Sequence, residues 1–311
     1  MKNREVVITG VAGFIGSNMA EKLVMENRVY GIDNLSWGKK ENLESLFKNQ
    51  NFKFINMDVK NTEQLAREIE GKDIIIHLSA NPDVRKSAED SQIDFNENAL
   101  ATYSVLEAMR KSDVNEIIFA SSSTVYGIPD LMPTPENYGP LKPVSHYGAS
   151  KLAAEGFIFS FSNIYGFKSS IFRFANVVGR RGTHGVIYDF INKLKKSPDA
   201  LEVLGDGTQS KSYIHIDDTM DAMIELHGKG DGLFNIGTAT RTSVLEIAKM
   251  VISRVSPGAK IKIMGGPGGG GWKGDIKVMH LDIKKALSYG WKYRYESTEA
   301  VKKALEELTV I

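Results

Sequence analysis

The stretch REVVITGVAGFIGSNMAEKLVMENRVYGID, residues 4–33, decides the fold that we predict for this chain. Its apolar run Val6–Ile8 fits a buried strand, a helical pattern of apolar residues follows Gly16, and a second strand-like run ends in Asp33. Strand, turn, helix and strand in this order predict a βαβ unit that binds a dinucleotide.

Three glycines join the first strand to the helix with the spacing Gly-x-x-Gly-x-x-Gly. We expect Gly10 to allow the tight turn, Gly13 to let the backbone approach a pyrophosphate, and Gly16 to let the helix pack closely on the strand. The backbone amides at the helix start, at Phe14 and Ile15, are expected to face the phosphates. A glycine triplet alone also fits an ordinary structural turn, but the strand, helix and acid in register favour the nucleotide.

Two carboxylates are predicted to contact the adenosine half of the dinucleotide. Asp33 is expected to accept hydrogen bonds from the ribose hydroxyls and to repel a 2′-phosphate, which favours NAD over NADP. Asp58, directly after the third strand-like run, is placed to bond the adenine amino group. The alternative is that Asp58 caps the following helix.

Composition limits the function classes that need to be considered. The 311 residues suffice for one large domain or two intimately joined ones, and the net charge of +1 gives no reason to expect nucleic acid or a membrane surface as a partner. The absence of cysteine excludes thiolate catalysis, and the histidines lack metal-ligand spacing. The first strand begins close to Met1 and no apolar run approaches a membrane span, so we expect a soluble, cytoplasmic protein.

Strand-like and helical runs alternate regularly up to about residue 176, which predicts an α/β fold with a Rossmann-type doubly wound parallel sheet. We assign 1–176 to NAD binding, with segments near 211–237 returning to this domain, and 177–311 mainly to a smaller α+β lobe for the substrate. The predicted strands are Phe52–Met57, Asp73–Leu78, Glu116–Ser121, Ser169–Phe174, Leu201–Leu204, Gly232–Ile236 and Lys260–Met264; the predicted helices are Thr62–Ile69, Ala88–Lys111, Tyr147–Ile164, Val186–Lys196, Asp217–His227, Val244–Arg254 and Ser297–Leu308.

Tyr147 and Lys151 lie one turn apart on the same predicted helix face. A nearby lysine cation, together with an oxidised nicotinamide ring, favours the phenolate and so lowers the pKa of the tyrosine. Tyr147 could then remove a proton from a substrate hydroxyl while hydride leaves the same carbon. Ser122, at the end of a strand and thus at the edge where ligands of parallel sheets bind, is the expected third member.

These residues together resemble an extended short-chain dehydrogenase/reductase of the NAD-dependent nucleotide-sugar epimerase/dehydratase family, and within it the archaeal UDP-glucose 4-epimerases. The resemblance runs nearly end to end. Its further motifs are His77–Ala80, Asp83–Arg85 with Ser87, Ser121–Gly127, Arg173–Gly179, Gly205–Gln209, His215–Asp218 and Asn235–Gly237.

The resemblance implies a role for each matching position. Tyr147 matches the catalytic base, Lys151 the lysine that lowers the pKa of this base and binds the nicotinamide ribose, and Ser122 their hydroxyl partner. Asn98 matches a structural asparagine, although Ala101 replaces the glycine that follows it in relatives. The implied cofactor-binding residues are Gly10, Gly13, Phe14, Ile15, Gly16, Asp33, Asn34, Asp58, Val59, Leu78, Ser79, Ala80, Asn98, Tyr147 and Lys151; the implied substrate-binding residues are Ser122, Tyr147, Asn176, Val203 and Lys211.

Residues 122–124 discriminate between reactions of the family. Dehydratases resemble Thr-Asp-Glu at this place because elimination of water needs an extra acid and base, whereas this chain reads Ser-Ser-Thr. The resemblance therefore implies C4 epimerisation of a UDP-sugar, the interconversion of UDP-glucose and UDP-galactose. The alternatives are an epimerase or reductase of another nucleotide sugar (N-acetylated, dTDP- or GDP-linked) and a non-catalytic NAD-binding regulator.

Two departures concern the substrate diphosphate. Many relatives carry arginine where Lys211 stands, and a second arginine near Trp272; lysine keeps the charge but loses the bidentate fork. Lys273 substitutes for the second arginine, or that contact is absent. The glycine-rich segment Gly265–Gly271 is a loop, which could be a lid, a phosphate cradle or, as we favour, a mobile connector.

The helices predicted near 88–111 and 147–164 carry more apolar residues than one sheet face requires. Because relatives pair these two helices across a two-fold axis, we expect a homodimer. The alternative is that loops of the same chain cover both faces.

Overall fold

The computed structural model describes residues 1–83, 90–272 and 274–309, and the chain divides into two compact units. The first unit comprises Met1–Val125, His146–Arg173 and Met223–Phe234, and the second comprises Tyr126–Ser145, Phe174–Ala222 and Asn235–Ile311. No helix in the described part of the chain is long and apolar enough to cross a membrane. The assignment of NAD and nucleotide sugar to residues 1–176 and 177–311 stays a prediction.

The strands and helices, in chain order, have the following bounds. The strands are β1 Glu5–Thr9, β2 Arg28–Asp33, β3 Phe52–Asn56, β4 Ile74–His77, β5 Glu116–Ser122, β6 Lys168–Phe174, β7 Asn176–Val178, β8 Ala200–Val203, β9 Ser210–Lys211, β10 Tyr213–His215, β11 Leu233–Ile236, β12 Thr242–Ser243, β13 Lys260–Ile263 and β14 Val278–Met279. The helices are α1 Phe14–Leu23, α2 Thr62–Ile69, α3 Ser91–Asp94, α4 Ala101–Ser112, α5 His146–Tyr165, α6 Val186–Lys196, α7 Ile216–Leu226, α8 Val244–Val255, α9 Lys284–Ser288 and α10 Ser297–Leu308.

The main sheet has seven strands in the order β11-β6-β5-β4-β1-β2-β3. Strand β1 pairs in parallel with β2 and β4, and the pairs β2–β3 and β4–β5 are parallel as well. Strand order reverses at β1 and β4, which is the signature of a doubly wound sheet whose ligands bind beyond the carboxyl ends of the strands. The predicted Rossmann-type fold is confirmed.

Val6, Val7 and Ile8 have no exposed surface, as their central place in the sheet requires. Helices α2, α4 and α5 contribute apolar residues to one core with the sheet strands of the first unit, among them Leu65, Leu106 and Ile158. The second unit has a core of its own, built mainly from α6, α8, α10 and the parallel pair β8–β13.

The helical pattern predicted over Ala88–Lys111 is confirmed from Ser91 onward, but it contains a π-helical turn that was not predicted. Residues 88 and 89 lie outside the described residues, and the remainder forms α3, a π-helical turn at Phe95–Leu100 and then α4. Buried polar side chains, Asp94 and Asn98, lie at this interruption. A π-helical turn keeps the helical run of apolar residues, so periodicity alone could not reveal it.

Several short strands of the second unit also escaped prediction. Strands β7, β9, β10, β12 and β14 are two or three residues long and pair as β10–β7 and β12–β9–β14. Such lengths are too short for a period of two to be visible in the sequence.

Candidate active site

The glycine turn after β1 is packed too closely for side chains. Gly10 has φ +70°, and a Cβ there would lie 2.8 Å from the backbone of Leu78 and Ser79. A Cβ on Gly16 would lie 2.2 Å from the carbonyl oxygen of Gly10. The tight turn and the close packing predicted for Gly10 and Gly16 are therefore present in the structure.

The start of α1 fits a pyrophosphate. Gly13 is the N-cap residue, and within the described chain no side chain caps this helix and no acidic residue lies in its first turn. The amides at Phe14 and Ile15 are thus left to an external anion, toward which the helix dipole is favourable. The residues present fit NAD at this place, although each individual contact stays a prediction.

Asp33 ends β2, next to the glycine turn. Its Oδ2 accepts a hydrogen bond from the Ala12 amide at 2.9 Å and its Oδ1 accepts one from the Leu35 amide at 2.8 Å. Burial raises the pKa of Asp33, while these two hydrogen bonds oppose the rise. The carboxylate is held in one orientation, as a ribose-binding acid requires.

Asp58 does not cap α2. The N-cap of α2 is Asn61, whose side chain accepts from the Gln64 amide, so the alternative of a capping Asp58 is wrong. Instead Asp58 Oδ2 accepts from Asn34 Nδ2 at 3.2 Å, which joins two predicted cofactor-binding residues. Val59 packs in the core of the first unit, so only its backbone is available to a ligand.

The end of β4 is tied to β1. The amides of Leu78 and Ser79 lie 3.2 and 3.4 Å from the Thr9 hydroxyl oxygen, which also hydrogen-bonds His77 Nδ1 at 2.7 Å. Ala80 follows directly and is half-buried. The predicted cofactor-binding segment 78–80 therefore lies against the glycine turn.

Lys151 is held rigidly in α5. Its side chain is buried, and its ammonium group donates to the carbonyl oxygen of Ala120 at 2.9 Å. The same nitrogen lies 4.8 Å from the ring centre of Phe119 and 5.8 Å from that of Tyr147. The structure therefore brings the predicted base and lysine together on one helix face.

Ser122 hydrogen-bonds the hydroxyl of Tyr147. The Ser122 oxygen accepts from the Thr124 hydroxyl at 2.9 Å and from the Thr124 amide at 3.2 Å. Because both Thr124 groups act as donors, the hydroxyl hydrogen of Ser122 is free to point at Tyr147. Thr124 thus orients the serine, a role that the sequence analysis missed.

Burial is the main cause of the pKa shifts of Tyr147 and Lys151. Desolvation of its hydroxyl, followed by the charge of Asp94, raises the pKa of Tyr147, and only the Ser122 hydrogen bond lowers it. Burial lowers the pKa of Lys151 to about 8, against the charges of Asp94 and Glu155. The charge of Lys151 alone therefore does not produce a phenolate in the resting chain.

Asn98 makes all its described side-chain bonds within the protein, as a structural asparagine does. Its Oδ1 accepts from the Asn81 amide at 2.8 Å, and its Nδ2 donates to Asp94 Oδ1 at 3.1 Å and to the Ser150 hydroxyl at 2.8 Å. Ser150 in turn donates to the carbonyl oxygen of Tyr147 at 2.8 Å. The π-helical turn is thereby tied to the first turn of α5.

A buried ion pair lies one helical turn beyond Lys151. Arg173 in β6 donates to both oxygens of Glu155 in α5, at 3.0 and 2.6 Å, and Ser121 donates to the same carboxylate. Each member of the ion pair is at most 4% exposed. Glu155 is the i+4 neighbour of Lys151, and an acid at that place in an otherwise apolar face was the signal available in the sequence.

The predicted substrate-binding residues Asn176, Val203 and Lys211 belong to the second unit. Asn176 begins β7, and its side chain donates to the carbonyl oxygen of Ser212 at 3.1 Å. Val203 ends β8 and is buried, and its carbonyl oxygen accepts from the Met264 amide. Their contacts with a substrate stay predictions.

Lys211 is paired within the chain. Its Nζ lies 2.7 Å from Oδ1 of the buried Asp275 and 5.5 Å from the ring centre of Trp272. Asp275 Oδ2 accepts from the amide of Gly271, so this acid joins Lys211 to the end of the glycine-rich segment. Lys273, the suggested substitute for an arginine, lies outside the described residues.

Comparison with known proteins agrees with these features. A model described as the NAD dependent epimerase/dehydratase family matches residues 6–237. A Methanocaldococcus jannaschii protein provisionally named UDP-glucose 4-epimerase is 36% identical over 309 residues, 96% of this chain and 97% of that protein. A solved structure of a UDP-galactose 4-epimerase is 38% identical with a TM-score of 0.86 and covers 97% of this chain and 98% of its own. A UDP-glucuronic acid 4-epimerase from Bacillus cereus, solved with UDP-glucuronic acid and NAD, is 26% identical with a TM-score of 0.87 over 99% of each chain.

Proposed function

The chain belongs to the NAD-dependent epimerase/dehydratase family, and on that premise we propose that it interconverts UDP-glucose and UDP-galactose by epimerisation at C4. The cofactor is NAD, and the residues of the first unit fit it. The observation that carries the proposal is the cluster of Tyr147, Lys151 and Ser122, with no carboxylate at positions 122–124.

In the proposed reaction Tyr147 removes the proton of the C4 hydroxyl, and a transient 4-keto sugar forms. NAD, held by the glycine turn and Asp33 of the first unit, would supply the acceptor and later the donor of the C4 hydride. Lys151 supplies positive charge beside the tyrosine, and Ser122 donates a hydrogen bond to the Tyr147 oxygen, which stabilises the phenolate. Tyr147 gives the proton back when the hydride returns, so one base completes the cycle.

The missing carboxylate distinguishes epimerisation from dehydration. Elimination of water from the sugar needs an acid and a base besides Tyr147, whereas Ser122, Ser123 and Thr124 supply hydroxyl groups only. In the structure the Thr124 hydroxyl donates to the Ser122 oxygen, and the Ser122 hydroxyl hydrogen-bonds Tyr147. Residues 122–124 therefore provide no acid or base of their own, and Tyr147 is left as the group that transfers the proton.

The decisive experiment is to incubate the purified protein with UDP-glucose and, in parallel, with UDP-glucuronic acid, UDP-N-acetylglucosamine and dTDP- and GDP-sugars, and to resolve the C4 epimers. UDP-galactose from UDP-glucose, without added cofactor because NAD stays bound, is the expected result. Efficient epimerisation of another nucleotide sugar only would keep the reaction and change the substrate. If denatured protein releases no NAD and no sugar is converted after NAD is added, the proposal is wrong.

Replacing Tyr147 by Phe separates the enzyme from a non-catalytic NAD-binding regulator. The substitution removes the phenol oxygen and keeps the ring beside Lys151. We expect turnover to fall by about 10³-fold or more, because the general base is lost, while bound NAD is retained. Unchanged turnover in Tyr147→Phe would remove this residue from the mechanism.

We also propose a homodimer. Helices α4 and α5 expose large apolar side chains, and Tyr103 of α4 stacks edge-on against Phe157 of α5 with ring centres 5.5 Å apart. The exposed apolar residues of this α4–α5 face are Tyr103, Phe157, Ile164 and Tyr165. A second copy of the chain would cover an apolar surface that a monomer leaves to water.

A further inference from the structure

Asp94 is a buried acid that the proposed reaction does not use. Its side chain has no exposed surface, and its Oδ1 accepts hydrogen bonds from Nδ2 of Asn81 at 2.9 Å and of Asn98 at 3.1 Å. Within the described chain its Oδ2 has no hydrogen-bond partner. Both donors are neutral amides, so neither of the groups that hold this carboxylate balances its charge.

The same amide connects Asp94 to the helix of the catalytic tyrosine. Asn98 Nδ2 also donates to the hydroxyl of Ser150, which precedes Lys151 in α5. Lys151 is only 3% exposed, and among the described residues its ammonium group hydrogen-bonds one acceptor, the carbonyl oxygen of Ala120. An ammonium group so far removed from water needs a negative charge nearby.

Glu155 is the other carboxylate beside Lys151, but it is already neutralised. Arg173 donates to both of its oxygens, and this ion pair is buried as a unit. Of the two acids, Asp94 has the larger effect in raising the pKa of Lys151 against burial. Of these two carboxylates, Asp94 is thus the one whose negative charge is not balanced by an arginine and can balance the charge of Lys151.

Among the described residues, His77 and Tyr147 also face Lys151, and neither carries a charge at neutral pH. Burial, together with the charge of Lys151, lowers the pKa of His77 to about 3, so its ring is neutral. Tyr147 is a neutral phenol in the resting chain because its pKa is raised. In the part of the chain that the structure describes, the buried charges around the lysine are therefore Asp94 and the Glu155–Arg173 pair.

We propose that Asp94 is the counter-ion of Lys151, a positioning residue that acts through the lysine by keeping it cationic inside the protein. Its catalytic consequence rests on the proposed function, since a cationic Lys151 is what supports a Tyr147 phenolate. The charge pairing itself is a property of the resting chain and is testable without any substrate.

Asp94→Asn is the test variant because it removes the charge and keeps the shape. The amide oxygen of asparagine can accept from Asn81 and Asn98 as Oδ1 does, and its nitrogen takes the place of Oδ2. The matched control is Asp90→Asn, in which the exposed N-cap residue of α3 loses its charge and retains a capping side chain.

The first readout is the titration of Lys151 in the full-length protein, followed by NMR with ¹³C-labelled lysine and assigned with Lys151→Met. The wild-type midpoint is expected at about 8. Asp94→Asn is expected to lower this midpoint by about one pH unit or more, because a neighbouring negative charge is lost. Asp90→Asn should move it by no more than about 0.2, because water screens an exposed charge. Equal midpoints in Asp94→Asn and wild type overturn the proposal.

The second readout is the pH profile of epimerisation by the holoenzyme. Asp94 raises the pKa of both Tyr147 and Lys151, so Asp94→Asn should move both limbs of the profile to lower pH. A uniform loss of kcat with unmoved limbs would show a merely structural role and overturn the proposal.

If thermal melting shows that Asp94→Asn does not fold, Lys151 is titrated in Asp94→Glu instead. This variant keeps the negative charge, so the Lys151 midpoint should stay at its wild-type value. A midpoint about one pH unit lower contradicts the proposal. A protein that epimerises no sugar refutes the proposed function, while the NMR titration still decides the role of Asp94.

Discussion

At the scale of single residues, Thr124 determines which way the hydroxyl of Ser122 points. Both Thr124 donors, the amide and the hydroxyl, are directed at the serine oxygen. The hydrogen of Ser122 is then donated to Tyr147, where it lowers the pKa of the base. Thr124 is therefore expected to affect the proposed reaction through Ser122.

Thr124→Val tests this orientation, since it removes the hydroxyl and keeps the side-chain shape. We expect kcat to fall about five- to tenfold, the equivalent of one lost hydrogen bond of about 1 kcal/mol, with little change in KM. The matched control is Thr62→Val in the first turn of α2, which should leave kcat unchanged. Steady-state kinetics with the preferred sugar measure both; an unaltered kcat in Thr124→Val would contradict the role assigned to it.

At the scale of elements, the turn between β1 and α1 leaves no space for a side chain at Gly16. A methyl group at Gly16 would meet the carbonyl oxygen of Gly10 at 2.2 Å, so Gly16→Ala must push α1 away from the turn. We expect the purified variant to lose at least about nine-tenths of its bound NAD, because the amides of α1 no longer face the pyrophosphate.

The control for this prediction is Gly156→Ala in α5, where an added Cβ meets no atom within 4 Å. Its NAD content should equal that of the wild type. The measurement is the absorbance of nucleotide released on denaturation, per mole of protein. Full NAD occupancy in Gly16→Ala would show that the turn tolerates expansion.

The packing of α5 on β6 depends on the buried pair of Glu155 and Arg173. Glu155→Gln leaves the Arg173 guanidinium buried without a counter-charge, which costs about 3–5 kcal/mol. We expect the melting temperature to fall by roughly 10 °C on this account.

The exposed pair of Glu107 and Arg110 in α4 provides the comparison. Glu107→Gln should lower the melting temperature by no more than about 3 °C, because water screens an exposed ion pair and it contributes little to stability. Thermal unfolding followed by circular dichroism compares the two variants. Similar melting temperatures would mean that burial does not distinguish these two pairs.

At the scale of the whole molecule, the α4–α5 face is expected to join two copies. Phe157→Glu places a charge in the middle of this face, beside Tyr103, and should convert a dimer of about twice the chain mass into monomers. Met25→Glu, at an exposed apolar residue after α1, should remain dimeric. Light scattering during size-exclusion chromatography gives the masses, and a wild-type protein that elutes as a monomer would refute the dimer.

The sequence by itself determined the fold class and the family, and it predicted that Tyr147, Lys151 and Ser122 lie together, as the structure places them. The glycine turn, Asp33 and the Tyr147–Lys151 spacing are local patterns, because turn geometry and one helical turn depend only on neighbouring residues. The bounds of α2, α6 and α10 were predicted for the same reason, since each is a strongly periodic segment.

Only the tertiary structure decided how the cluster is supported. The π-helical turn, the link from Asp94 through Asn98 to Ser150, and the Glu155–Arg173 pair join residues from separate strands and helices. It also decided that burial raises the pKa of Tyr147 in the resting chain. Burial and long-range charge set these values, and both depend on which segments pack together, a property that spacing along the chain does not contain.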